Sequence, residues 1–357
     1  MELYRKILIL CIVILTTYIV FRMLIKRWKI VQENTIVSGL GLEPFMDDIQ
    51  VKNTNNPNLP LINYVVKGSF HSAYNYKTNM IDIAMLNTVL QRGVRFLDFE
   101  VYSLQGNAVV GYSSTLNATS GVTTIESSNP PEDPNILLTT IFNKINLQKP
   151  PGLMDPLFIQ LRIKSALPAL YSKVAQAIEG AFSGVLYSNP AAGKDGRWID
   201  LQKPLSHYKG KTIIVIDKIN STSGYSDYGK CKGQSGCYDF NKYVNLETGS
   251  DRCLSTTHAT VTSSRPNDLH IRDDNMTVEV DGKVPTKWIF SMPSPIENPN
   301  KYDIGDMIQN HGVNIALFRF DQDDTTTPGS NLAKYEKMFG NSAYLTMVNA
   351  LQNLKSL

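Results

Sequence analysis

Short apolar runs and longer amphipathic stretches alternate along the chain from residue 61 onward. Seven runs rich in β-branched and aromatic residues have the length of strands, at 63–68, 94–103, 107–113, 156–164, 211–218, 288–293 and 314–320. Segments 80–91, 136–145 and 168–182 follow helical periodicity, and a closing helix is predicted over 331–354. The chain therefore has the pattern of repeating strand and helix units.

Strands that alternate with helices are typical of an α/β fold with a parallel sheet. No GxGxxG or GxxxxGK[ST] loop follows any of the strands, which removes the best support for an open nucleotide-binding sheet. We therefore predict a TIM-type (β/α) barrel over residues 61–357, with its chemistry at the carboxyl ends of the strands. Residues 220–287 are polar and irregular, so we expect a long insertion there, with a hairpin at 278–284.

The N-terminus differs from the rest of the chain because residues 7–21 contain no charged side chain. A helix over 7–25 would be ~28 Å long, close to the ~30 Å apolar core of a bilayer. A cleaved signal peptide is the alternative, but Lys26, Arg27 and Lys29 stand where small residues would mark a cleavage site. Residues 1–29 are thus predicted as an uncleaved single-pass anchor, and residues 30–60 as a polar spacer. The side of the membrane stays open, although the basic residues after the span favour the interior side.

Composition and charge narrow the possible partners. The 357 residues are 42% hydrophobic, with a mean hydropathy of −0.17, which excludes a disordered chain and a polytopic membrane protein. The formal net charge of +3 offers no field for general nucleic-acid binding. Outside the predicted span the cysteines are Cys231, Cys237 and Cys253, without zinc-site spacing. A Cys231–Cys237 disulfide and three free thiols both stay open.

Charged side chains interrupt two of the predicted strands on one face only. Strand alternation puts Asp98 and Glu100 on the same face of 94–103, and Gln160, Arg162 and Lys164 on the same face of 156–164. If the apolar faces pack against helices, an acidic and a basic face point into the barrel. Two interpretations follow: an internal layer of salt bridges, or a phosphate site in which arginine offers its planar fork.

The order of the segments resembles the X region of phosphatidylinositol-specific phospholipase C. The resemblance covers roughly residues 61–324 and is carried by SFHSAYN, GVRFLDFEVYS, NAVVGYSSTL, FIQLRIKS, KGKTIIVIDK and HGVNIALFRFDQDD. It implies a distorted TIM-type barrel of the PLC-like phosphodiesterase type. It also implies a phospholipid membrane and a phosphoinositide head group as partners, the head group being cleaved from diacylglycerol.

The resemblance implies roles for individual residues. His71, on the loop after the first strand, matches the first catalytic histidine, which stabilises the phosphate. Asp98 and Glu100 match the acidic pair that ligates Ca²⁺ and helps the attacking hydroxyl to lose its proton. We place Arg162 with this catalytic group. Residues expected to contact the substrate are Lys164, Lys211, Lys218 and Tyr112.

Three departures from the family pattern bear on activity. Ser72 stands where the calcium-dependent enzymes have an asparagine ligand, and Arg162 aligns with a further carboxylate ligand. Tyr112 or Ser114 occupies the place of the second histidine, the general acid for the leaving group. We therefore hypothesise that Arg162 reaches across to Asp98 and Glu100 and supplies the positive charge that calcium supplies elsewhere, so the cofactor is either Ca²⁺ or none.

The sequence leads to two predictions of function from different classes. The first is a membrane-anchored PLC-like phosphodiesterase that acts on phospholipid head groups, weak or inactive because the second histidine is missing. The alternative is a catalytically inert PLC-like barrel that serves as a lipid-binding or structural membrane protein. A glycerophosphodiester-cleaving barrel is a third possibility, but such families favour a Glu-x-Asp order, whereas this chain has Asp98 before Glu100.

Overall fold

The computed structural model describes the barrel region with several gaps. The described residues are 58–78, 80–112, 136–147, 155–165, 167–187, 198–217, 231, 235–248, 254–256, 269–272, 277–280, 288–291, 299–321 and 330–357, with 4, 6, 17, 18, 21 and 22 near the N-terminus.

Eight parallel strands form one curled sheet that fits a TIM-type barrel. In spatial order they are β10 (Leu254–Thr256), β13 (Ile289–Ser291), β14 (Ile315–Phe318), β1 (Tyr64–Ser69), β4 (Phe96–Leu104), β7 (Leu157–Ile163), β8 (Thr212–Asp217) and β9 (Leu246–Thr248). Every neighbouring pair along this path is parallel. The carboxyl ends of the strands therefore converge at one end of the barrel, as predicted.

Shorter antiparallel strands extend this sheet. The strand β5 (Asn107–Gly111) pairs with β4, β6 (Ile136–Leu137) pairs with β5, and β15 (Tyr344–Thr346) pairs with the first half of β1. Two separate ribbons join β2 (Tyr74–Asn75) to β3 (Met80–Ile81) and β11 (Leu269–Arg272) to β12 (Thr277–Val280). The described helices are α1 (Ile83–Gln91), α2 (Leu138–Leu147), α3 (Pro168–Phe182), α4 (Ile304–His311), α5 (Asn331–Phe339) and α6 (Met347–Lys355).

Alternation along the strands divides the core into two apolar layers. An inner layer fills the amino-terminal part of the barrel, and an outer layer packs the sheet against the helices. The inner layer includes Val66, Phe96, Phe158, Val215 and Phe290. The outer layer includes Leu97, Phe99, Ile159, Leu161 and Ile214. Because successive side chains of a strand point to opposite faces, the inner positions nearest the carboxyl ends are those occupied by Asp98, Glu100 and Arg162.

Local sequence explains where the helices begin and end. Proline occupies the first position of α3, where no intrahelical N–H partner is required. The Asp303 side chain accepts a hydrogen bond from the Asp306 N–H at the start of α4, and Gly312, with φ 60°, ends that helix in the left-handed region. These residues therefore mark where α3 and α4 begin and where α4 ends.

The C-terminal segment and the insertion differ from the predictions. The single helix predicted over 331–354 is interrupted: α5 ends at Gly340, with φ 53°, and β15 intervenes before α6. The break lets residues 344–346 pair with the half of β1 that β4 leaves uncovered. Within 220–287, β9 and β10 join the main sheet rather than an irregular loop. The hairpin there pairs 277–280 with the upstream residues 269–272, not with the residues up to 284.

The predicted membrane anchor at residues 1–29 lies largely outside the residues that the structure describes. Among the described residues, no helix is both long and apolar enough to cross a bilayer, and most of the predicted span at 7–25 lies outside them. The spacer also lies outside them up to residue 57. The structure forms the Cys231–Cys237 disulfide, one of the two alternatives left open by the sequence.

Candidate functional site

Arg162 holds both buried carboxylates at the carboxyl end of the barrel. The parallel register of β4 and β7 places Glu100 beside Arg162 and Asp98 beside Gln160. The guanidinium donates from Nε to Asp98 Oδ1 at 2.8 Å, from Nη2 to Asp98 Oδ2 at 2.7 Å, and from Nη1 to Glu100 Oε1 at 2.5 Å. The contact predicted between Arg162 and the acidic pair is therefore present.

Further donors occupy the remaining acceptor positions of the carboxylates. Asp98 also accepts the Gln160 Nε2 amide at 3.2 Å and the His71 backbone N–H at 3.0 Å. Glu100 Oε2 accepts the Tyr102 hydroxyl at 2.7 Å. Asp98 and Arg162 are 0% exposed and Glu100 is 1% exposed, so the network is shielded from water. This polar centre, defined as His71, Asp98, Glu100 and Arg162, satisfies its own charges.

The electrostatics of the polar centre favour the ionised forms of its arginine and glutamate. Burial alone would raise the pKa of Glu100, but the Arg162 guanidinium outweighs it and holds that pKa far below its usual range. Burial would lower the pKa of Arg162, and the Asp98 and Glu100 charges instead raise it. The ion pair therefore persists across the physiological pH range.

His71 lies on the loop that follows β1, in a backbone conformation unusual for a non-glycine residue. Its φ of 46° falls in the left-handed region, which few non-glycine residues adopt, although histidine does so more often than most. Its Nδ1 hydrogen-bonds the Tyr76 hydroxyl. Its Nε2 lies 3.7 Å from Glu100 Oε1, too far for a hydrogen bond, and has no other hydrogen-bond partner. Burial, then the Arg162 charge, lowers the pKa of His71, so its ring is neutral near pH 7.

Aromatic rings cover His71. Phe70 stacks on it with ring centroids 3.9 Å apart, and Tyr112 meets it edge-on at 4.7 Å. Tyr74, Tyr76 and Tyr112 contact one another at centroid distances of 4.3–5.2 Å and form what we call the tyrosine roof. Tyr112 thus reaches the site, as predicted, but burial raises its pKa, which makes it a poor proton donor at neutral pH.

Further charged residues adjoin the polar centre, and two of them, Asp217 and Arg319, were not singled out from the sequence. Lys164 Nζ lies 3.9 Å from Glu100 Oε1, as its strand position suggested, and burial lowers its pKa. Asp217, the fully buried last residue of β8, adds a negative charge that acts on Arg162 and Lys164, and strand alternation would have found it. Arg319 pairs with Asp321, two residues further along the chain, at 3.3 Å. It also lies over the Tyr76 ring, and because these two residues are far apart in the chain, no spacing indicates that contact.

One of the predicted substrate-contacting lysines, Lys211, does not reach the site. Lys211 immediately precedes β8 and therefore lies at the amino end of the barrel, whereas Asp217 marks the carboxyl end. A six-residue strand separates the two ends by ~20 Å. The expectation for Lys211 was wrong because the strand direction puts it opposite the polar centre. Lys218 lies outside the described residues.

The residues present do not fit a calcium ion. Calcium requires ~6–8 oxygen ligands, and both carboxylates already share one buried cation. The described part of the chain contains no cluster of three or more histidine, cysteine, aspartate or glutamate side chains that could hold a metal. The guanidinium occupies the position where a cation bound by Asp98 and Glu100 would lie.

Comparison with known proteins identifies a shared fold. No family model and no curated protein sequence matches the chain. PLC21 of L. pealei is similar in structure, with a TM-score of 0.54, 14% identity, and coverage of 82% of this chain and 37% of that one. PLC21 of S. officinalis gives a TM-score of 0.54 at 13% identity over the same shares. A calcium-dependent phosphoinositol-specific phospholipase C of Pseudomonas sp gives 0.45 at 11% identity, over 85% of this chain and 98% of that one.

The two PLC21 structures establish a PLC-like phosphodiesterase fold, and at this identity they establish the fold alone. This chain spans little more than a third of their length, 37% in each case.

Proposed function

We propose that the chain is a membrane-anchored, catalytically inert barrel of the PLC-like fold, in which the polar centre serves to stabilise the barrel. The observation that carries this proposal is the trapping of both carboxylates by Arg162 through three hydrogen bonds of 2.5–2.8 Å, at 0–1% exposure. A reaction centre needs groups that are free to exchange an internal partner for the substrate. Here the groups that could bind phosphate are already paired with acids of the same chain.

The energetics of the buried ion pair oppose substrate entry. A phosphate that bound Arg162 would have to displace Asp98 or Glu100, and it would leave that carboxylate buried without its cation. Such an uncompensated charge costs ~3–5 kcal/mol. A phosphodiester therefore gains less from the guanidinium here than it would from an open arginine or a metal ion.

Proton transfer is also poorly served. The leaving alkoxide of a phospholipid needs an acid, and Tyr112, with a raised pKa, takes the place of the expected second histidine. Loss of a general acid reduces turnover by ~10²–10⁴-fold. His71 is neutral near pH 7, and a neutral imidazole is a much weaker acid than an imidazolium, so it does not replace the missing proton donor.

The membrane part of the proposal rests on the sequence. The apolar run over 7–25 would tether the barrel to a phospholipid bilayer, and the shared fold favours phosphoinositide head groups as the lipids it meets there. In this proposal the barrel is a lipid-associated structural or binding module rather than a catalyst.

One observation favours a slow phospholipase C-type enzyme as the second candidate. His71 combines a left-handed backbone with a buried Nε2 that lacks a hydrogen-bond partner. Strain and unsatisfied polar atoms both concentrate at active sites. A reactive His71 would explain them without invoking the arginine.

A turnover assay separates the two candidates. The full-length chain would be reconstituted with phosphatidylinositol vesicles, and release of inositol phosphate would be followed for the wild type, His71→Ala and His207→Ala, the last a matched exposed histidine at the amino end of the barrel. We expect all three to match the protein-free background. Release by the wild type and His207→Ala that disappears in His71→Ala would overturn the proposal and establish the enzyme.

A further inference from the structure

The described chain enters the barrel at its amino end, against one basic segment. The backbone N–H of Leu61 donates to the Lys203 carbonyl at 2.8 Å, and that of Ile62 donates to the Leu201 carbonyl at 3.0 Å. In return the Leu205 N–H donates to the Leu59 carbonyl at 3.1 Å. These bonds fix the end of the predicted spacer beside residues 201–205, before β1 begins.

The same segment carries positive charge at the surface. Lys203 and Lys209 are exposed, and Lys211 is half-buried. None of the three ammonium groups forms an ion pair within the described part of the chain, although the charge of Lys209 acts on the buried Asp155. Over 198–211 the acidic residue is Asp200. We call Lys203, Lys209 and Lys211 the amino-end patch. Its charge differs from that of the polar centre, where every cation is matched by a buried acid.

We infer that the amino-end patch docks on the anionic lipid head groups of the membrane that holds the predicted anchor. This inference rests on the anchor in the proposed function. About 30 residues separate the predicted span from Asn58, so the patch stays tethered close to that bilayer. Tethering raises the effective concentration of the patch at the head groups, and opposite charge attracts it.

Docking through this end sets the orientation of the barrel. The strands run from the amino-end patch to the polar centre, so the carboxyl end and its tyrosine roof would face away from the bilayer. This orientation is the opposite of what direct attack on lipids in the anchor's own membrane would need. It therefore agrees with a barrel that uses the membrane as a support rather than as a substrate.

The expected effect follows from the number of lysines. Each lysine near an anionic surface strengthens the contact ~5-fold, so removal of three should shift the docked population on the order of 100-fold. Screening shortens the interaction range to ~8 Å at 0.15 M salt, so the contact should weaken steeply as salt increases.

Hydrogen exchange on the full-length chain tests the docking. The protein would be reconstituted in neutral phosphatidylcholine vesicles and in vesicles that also contain phosphatidylserine, and exchange would be followed in peptides covering 198–211. We expect slower exchange in the anionic vesicles alone. The protection should disappear in Lys203→Gln/Lys209→Gln/Lys211→Gln and persist in the control Lys77→Gln/Lys173→Gln/Lys301→Gln, whose lysines are exposed towards the carboxyl side.

Two results would overturn the inference. Equal exchange of 198–211 in neutral and anionic vesicles would exclude docking, and protection by free inorganic phosphate with neutral vesicles would instead indicate a soluble anion site. Flotation of the vesicles reports insertion separately, so failure of the anchor is distinguished from failure of the patch.

Discussion

Two arginine–carboxylate pairs in the described part of the barrel are at most 2% exposed, one at each end, and they are built differently. At the carboxyl end, Arg162 meets Asp98 and Glu100 at 2.5–2.8 Å with three of its nitrogens. At the amino end, Arg95 Nε lies 3.5 Å from Asp155 Oδ2. Neither of these two atoms has a hydrogen-bond partner, and Arg95 Nη2 also lacks one. Both arginines are at most 1% exposed.

The pKa shifts of the two pairs run in opposite directions. Around Arg162 the ion pair outweighs burial, so the pKa of Glu100 is lowered and that of Arg162 is raised. Around Arg95 burial prevails: it lowers the pKa of Arg95 and raises the pKa of Asp155. Burial is therefore not what distinguishes the ends. The difference is that adjacent strands hold Arg162 and its acids in register, whereas Arg95 and Asp155 lie just outside their strands.

The largest expected effect is the loss of Arg162. Arg162→Met leaves Asp98 and Glu100 buried without a cation, and we expect the free energy of unfolding to fall by ~3–5 kcal/mol. Denaturant titration of the detergent-solubilised full-length chain would measure it. Adding Asp98→Asn and Glu100→Gln to that variant removes the uncompensated charge and should restore much of the loss.

Arg95→Met is the matched control at the other end. Its removal also eliminates two unsatisfied donors, and Asp155 can accept a proton because its pKa is already raised. We expect a smaller loss of ~1–3 kcal/mol. An equal or larger loss than in Arg162→Met would contradict the contrast between the two pairs.

Acid should destabilise the polar centre in two separate windows. His71 has a lowered pKa, so the stability it contributes is present above its unfolded pKa of ~6.5 and is lost as pH falls below that value. The stability from Glu100, whose pKa is also lowered, is lost only as pH falls below ~4.3. Each group adds a slope of up to ~1.4 kcal/mol per pH unit.

Unfolding free energies measured from pH 8 to pH 3 would check both windows. We expect His71→Gln to flatten the curve just below pH ~6.5, and Glu100→Gln to flatten it below pH ~4.3. Unchanged slopes in both variants would show that the two groups keep their unfolded pKa values in the barrel.

Much of the polar centre follows from strand alternation. The period of two places Asp98 and Glu100 on one face and Arg162 on the facing positions of the next strand, and the structure confirms that they meet. Asp217 also follows strand alternation, on the same face as Val215 of β8. We did not single it out from the sequence because the segment 211–218 is dominated by apolar residues. Lys211 was assigned from the family resemblance alone, and the direction of β8 places it at the end opposite the polar centre.

Other features depend on contacts that local pattern does not encode. Periodicity over 331–354 predicted one helix because a three-residue strand such as β15 is too short to change the pattern. The strand forms where β1 offers an open edge, which local sequence does not show. Tyr76 and Arg319 are far apart in the chain and come together because they follow β1 and β14, which pair side by side in the sheet. The shared fold was predicted from segment order and is confirmed by structural similarity, whereas the catalytic roles stay predictions.

Calcium titration tests most directly the central claim that Arg162 stands in place of a metal ion. Calorimetry on the solubilised full-length chain would compare the wild type, Arg162→Gln and Glu100→Gln. We predict no calcium binding by the wild type at micromolar concentrations, and calcium-dependent stabilisation of Arg162→Gln, whose freed carboxylates need a new cation. Micromolar binding by the wild type that Glu100→Gln abolishes would contradict the claim.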